Sequence, residues 1–192
     1  MKKYLLLICC LCFLFLASCS KIMSNTTDSL KDKKGITHFE IGQTYHQDNG
    51  LYFKLVDEGT YIMYDDEASI YKTEEDLKNE ADKEEARQYP SLYFYQGHYK
   101  KEGTDLILED KTEIDLLFAS VANYKKGIYF RVDYTKSTGT VRVKYSSQGL
   151  YFVRPRPIKN YYHKSNKKIP NSKDDFVSQY TYDPLTRNDY PR

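Results

Sequence analysis

A four-residue unit recurs along this chain: GLYF at Gly50, SLYF at Ser91, GIYF at Gly127 and GLYF again at Gly149. The intervals between copies, 41, 36 and 22 residues, are too uneven for a solenoid or propeller, which need a fixed period. The shared cause is local. A Gly or Ser closes a turn, and the three residues that follow open a strand whose side chains alternate between two faces. Alternation puts Leu51, Phe53 and Leu55 on one face, and likewise Ile128, Phe130, Val132 and Tyr134. It sends Tyr52, Tyr93, Tyr129 and Tyr151 to the opposite side, so these strands in one sheet would carry an aromatic row.

Neighbouring segments extend the pattern. TVRVKY, residues 140–145, alternates Val141, Val143 and Tyr145 with Arg142 and Lys144. The Gly-containing stretches at 57–59, 136–139 and 147–149 suit hairpin turns. The fold predicted is α+β: an antiparallel β-meander or small open barrel with one or two helices. One helix starts at Thr73, where Thr73-Glu74-Glu75-Asp76 has a capping residue and acids in the first turn. The second is expected over 112–126. There Ile114, Leu117, Phe118 and Val121 fall at i, i+3, i+4 and i+7, and Gly127 supplies a stop, although EIDLLFAS also alternates as a strand would.

No disulfide supports this domain, because all four cysteines lie between Cys9 and Cys19. Met1-Lys2-Lys3 is a short positive start, and Tyr4 to Ala17 is uncharged for fourteen residues, the profile of a signal peptide rather than of a permanent span. Leu16-Ala17-Ser18-Cys19 at its end resembles the lipobox of bacterial lipoproteins. The resemblance covers only the first twenty or so residues. It implies cleavage between Ser18 and Cys19 and lipidation of Cys19, whose thiol is nucleophilic enough to form a thioether. Two or more acyl chains then moor the product to a membrane. Cys9, Cys10 and Cys12 leave with the signal, with no His or acid nearby to make a metal site. Ser20 after the Cys is similar to family members sent to an outer membrane, where the cell has two.

These features divide the chain into a signal peptide (1–18), a lipidated Cys with a polar tether (19–35), a globular α+β domain (36–153) and a Pro- and Tyr-rich basic tail (154–192). The tail holds five of the six prolines, and apolar periodicity fades after Val153, so it reads as disordered. Charge is polarised. Residues 65–87 carry ten acids against four bases, and residues 154–173 carry seven bases and no acid.

Catalytic signatures are missing. The chain has no GxSxG, Walker loop or HExxH, and His38, His46, His98 and His163 have no paired spacing. Asp65-Asp66-Glu67 and the acids from Asp110 to Asp115 lack calcium-loop spacing and read as solvated turns. No cofactor or metal is expected. The basic cluster Arg154, Arg156, Lys159, Lys164, Lys167 and Lys168, with Tyr161 and Tyr162, is the binding candidate of the mature region. In an exported protein its partners would be anionic envelope components or another envelope protein, not nucleic acid. The bland alternative is a solvated tail, or one folded back on the acidic segment. The expected function is a non-catalytic, lipid-anchored binding or structural module of the cell envelope. The alternative is an envelope enzyme or lipocalin-like carrier with a pocket inside the sheet, although the GxW start of that family cannot occur without Trp.

Overall fold

A computed structural model describes residues 36, 38–47, 49–146, 149–153, 158–160 and 162–191. Cys19, Ser18, Arg154, Arg156 and the 19–35 tether lie outside the described residues.

Alternating apolar residues and short turns give strands β1 (Thr44–Gln47), β2 (Tyr52–Leu55), β3 (Thr60–Asp66), β4 (Ser91–Glu102) and β5 (Asp105–Leu117). After them come β6 (Ile128–Tyr129), β7 (Arg131–Ser137), β8 (Val141–Ser146), β9 (Gly149–Val153), β10 (Ile158–Asn160), β11 (Tyr162–Ser165) and β12 (Thr181–Tyr182). The main sheet is antiparallel, in the order β10-β9-β8-β5-β4-β3-β2-β1-β11, with β7 also on β5. A two-stranded parallel pair, β6 with β12, stands apart from it.

Strand β5 is long enough to serve two neighbours. Leu106 to Leu108 pair with β8, and Lys111 to Leu117 pair with β7. The turns are built locally. The Asp57 carboxylate accepts from the backbone N–H groups of Gly59 and Thr60 at 2.9 and 2.8 Å, and so sets the β2–β3 turn. A two-residue connection, with Gly103 at φ 61°, joins β4 to β5.

Sheet closure depends on the segment predicted to be disordered. Strand β10 pairs with β9 at one edge, and β11, which starts two positions after β10 ends, pairs with β1 at the other. Residues 158–165 therefore connect the two ends of the sheet, which curls into a half-barrel. The described part of 154–192 also holds a helix, Lys173–Ser178, and a 3₁₀ turn, Pro184–Asp189. Its apolar residues are few but large. Tyr162 and Phe176 are fully buried and Ile169 nearly so. The ring of Phe176 stacks on Phe94 at 5.0 Å and 13°. Apolar periodicity fades here without loss of order, because aromatic anchors this large need no repeat to hold a segment.

The two predicted helices fare differently. Helix α1 (Glu74–Lys83) begins as expected, with a reciprocal capping box between Thr73 and Asp76. Helix α2 spans only Val121–Lys126, capped by Ser120 and ended by Gly127 in the left-handed region at φ 69°. Residues 112–117 are strand instead. With β4 on one side and β7 on the other their backbone is fully paired, and Ile114 and Leu116 are buried by alternation, not by helical spacing. The Glu74 carboxylate accepts from the N–H groups of Val121 and Ala122 at 3.0 and 2.8 Å, tying the start of α2 to α1. Helix α3 is the Lys173–Ser178 segment. Among the described residues no helix is long and apolar enough to cross a membrane.

Each sheet face has its own core. Inside the curl, Phe39, Tyr45, Phe53, Tyr61, Leu106, Val143, Phe152 and Tyr162 pack together. On the outer face Ile62, Tyr64, Phe94, Ile114 and Phe118 are covered by Phe176 of α3 and by Ile169. The predicted tyrosine row does not form. Register places Tyr52 opposite Tyr64, and Tyr64 opposite Phe94, so Tyr93 lies on the other face, and Tyr129 belongs to the separate two-stranded pair.

Candidate functional site

The aromatic core fills only part of the curl. Beyond it, over β3, β4 and β5, a cleft of about 630 Å³ opens on the concave face. Its floor is Tyr61, Met63, Tyr95 and Leu108, with Phe152 and Val141 closing the end toward the core. The β1–β2 hairpin connection forms one wall; the other is the break between β7 and β8, which follow one another in the same direction along β5, so the hairpin expected at 136–139 does not form. On one side are Gln47, Asn49 and Leu51 from the β1–β2 connection, and on the other Ser137 to Thr140 from the β7–β8 connection.

Local chemistry fixes both walls. In the first, the Gly50 N–H donates to the Gln47 carbonyl at 3.0 Å, the Leu51 N–H donates to Asn49 Oδ1 at 3.2 Å, and Gly50 takes φ 101°. In the second, the Gly139 N–H donates to the Asp110 carboxylate on β5 at 3.0 Å. The segment between β7 and β8 is thereby held to the strand that contributes Leu108 to the floor.

The floor itself is positioned by close packing. The ring of Tyr61 stacks on Phe53 at 5.9 Å and 16°, and its hydroxyl donates to the Glu109 carbonyl at 3.3 Å. A side chain at Gly97 would meet the Tyr61 ring at 2.6 Å, so the absence of one lets the ring lie flat across β4. Burial pushes the Tyr61 hydroxyl up to about 12, leaving it a neutral hydrogen-bonding group. The Tyr95 ring is half-buried, and Lys111 Nζ sits 3.9 Å from its centroid and 3.7 Å from Glu113.

Asp65 lines the cleft and belongs to a row that continues across the sheet away from it. Asp65, Tyr93, Asp115 and Asp133 stand in one row across β3, β4, β5 and β7. Burial raises Asp65, and burial with the charges of Glu113 and Asp133 pushes Asp115 up to about 6. Asp115 Oδ1 is buried without a hydrogen-bond partner. Asp65 and Asp115 are strand residues of a sheet face, not the solvated turns expected from the sequence. Among the described residues no group of His, Cys, Asp and Glu is placed to hold a metal ion.

Of the basic cluster predicted to bind polyanions, Lys164 and Lys167 have partners within the domain, while Arg154 and Arg156 lie outside the described residues. Lys164, on β11, pairs with Glu40 at 2.7 Å. Lys167 Nζ lies 4.4 Å over the Tyr52 ring and 5.1 Å over Tyr64. Lys168 is exposed, and Lys159 lies on β10. Lys164 and Lys167 thus meet Glu40 and two tyrosines, not the acidic helix α1. Sequence reading missed Gln47, Asn49, Asp65, Tyr95 and the Ser137–Thr140 segment as one site. The available signal was the alternation of SLYFYQ, which puts Tyr93 and Tyr95 together on the face opposite Phe94. Comparison with protein-family models, with curated proteins and with solved structures finds no match to this chain.

Proposed function

We propose that this chain is a lipid-anchored lipoprotein of the cell envelope whose folded domain binds a ligand in the concave cleft. The cleft carries the reading. A half-barrel with a filled lumen would serve as a structural or docking body, whereas this one leaves a cavity in the size range of small-molecule sites. Anchoring is supported by Leu16-Ala17-Ser18-Cys19, and by the outer-membrane placement that Ser20 suggests in a cell with two membranes. The membrane lipid and an envelope component are then the two partners. A binding role suits the wall, which offers hydrogen-bonding groups and aromatic faces. Engagement of Lys164 and Lys167 within the domain favours the cleft over the basic segment as the binding surface.

Photo-crosslinking in cells tests this reading. A benzoylphenylalanine at Thr135, exposed on β7 in the row of Tyr95 and beside the cleft without lining it, is expected to give envelope adducts that the same group at Ser178, on α3, does not. Equal adducts at both positions, or none at Thr135, would contradict it.

A further inference from the structure

We propose that the cleft takes a neutral saccharide, its C–H face on the Tyr95–Met63 floor and its hydroxyls on Gln47, Asn49, Asp65 and the Ser137–Thr140 segment; this rests on the cleft being the binding site. The inference comes from what the wall accepts and what it rejects. An anionic ligand finds Asp65 and Glu109 on the wall, and the nearby cation, Lys111, is already engaged by Tyr95 and Glu113. A wholly apolar ligand would strip water from Asn49, Gln47 and Asp65 and leave them unpaired. A cationic ligand gains less than the acids suggest, because the Glu109 carboxylate is held by Lys100 at 2.9 Å.

A sugar ring matches both halves of the surface. Its hydroxyls each donate and accept, as do the side-chain amides of Gln47 and Asn49 and the hydroxyls of Ser137, Thr138 and Thr140, while Asp65 accepts. Its apolar face needs a flat, weakly polar floor, which Met63 and the side of the half-buried Tyr95 ring away from Lys111 provide. Polar groups so placed discriminate strongly, because any ligand lacking the hydroxyls leaves them unpaired.

The test uses the full chain in detergent on a microarray of neutral hexose and N-acetylhexosamine oligosaccharides. Saturable retention is expected. Asn49→Ala, an exposed position, should weaken it about three- to tenfold, the value of one neutral hydrogen bond. Thr138→Trp, also exposed, should abolish it by filling the cleft, with an unchanged circular dichroism spectrum for both variants. Retention of mono- and disaccharides would indicate a free sugar as the source, and retention only of longer chains an envelope polymer; both support the proposal. No retained saccharide, or retention equal in Thr138→Trp, would overturn it. Hydrogen exchange with spermine and with palmitate then separates the two claims. Protection of residues 47–51 and 137–141 by either would leave the cleft as the binding site with a different ligand, and protection by none of these probes would remove both.

Discussion

Asp115 stands opposite Asp133 on β7 and next to Tyr93 on β4, an arrangement of like charges that weakens a sheet. Its carboxyl, at about 6, binds a proton in the folded chain that an unfolded carboxyl releases near the ordinary value of 3.8. Stability therefore falls as pH rises from about 4 to 6, and the penalty is complete above that window. Asp115→Asn is expected to stabilise the domain above pH 7 by about 1 kcal/mol, after allowance for solvent screening of a partly exposed group. The gain should shrink below pH 6 and vanish near pH 4. Thermal melts of the two proteins at pH 4, 5 and 8 read this directly, and a gain independent of pH would refute the assignment. Gly97 makes a second prediction at this scale. Gly97→Ala would drive a methyl group into the buried Tyr61 ring, with a cost of about 1–3 kcal/mol in urea unfolding, because the ring has Phe53 behind it.

The C-terminal segment is the element that most alters the account of this molecule. Since β11 pairs with β1 and Phe176 seals the outer core, truncation after Val153 is expected to abolish cooperative unfolding, not to release a loose tail. Phe176→Ala alone should cost about 3–5 kcal/mol, measured by denaturant titration. Much of the rest was legible in the sequence. The capping box at Thr73, the Gly127 stop and the GLYF, SLYF and TVRVKY strands all follow from local chemistry, which sequence records directly. What escaped depends on contacts far apart in the chain. Residues 112–117 carry an apolar pattern that suits a helix and a strand equally, and pairing with β4 and β7 decides between them. Tyr52 and Tyr93 hold equivalent places in their tetrapeptides yet face opposite ways, because register between strands is set by turn lengths and by partners outside the repeat. The cleft escaped for the same reason, since its floor and two walls come from segments that only the curl of the sheet brings together.

At the scale of the whole molecule, a curled sheet closed by its own C-terminal segment displays an open cavity, and a lipid on Cys19 is proposed to hold it at a membrane. The two parts are separable. Cys19→Ser should move the protein from the membrane fraction to the soluble one and remove the mass of the acyl chains, with the fold of residues 36–191 unchanged. Persistence in the membrane fraction at the original mass would refute the anchor without touching the cleft. The cleft itself is tested most directly by hydrogen exchange of the full chain in detergent, with and without solubilised cell-envelope extract. The account predicts slowed exchange confined to residues 47–51, 108–111 and 137–141. Slowed exchange only at the β11 edge and at α3, with the cleft unchanged, would contradict it.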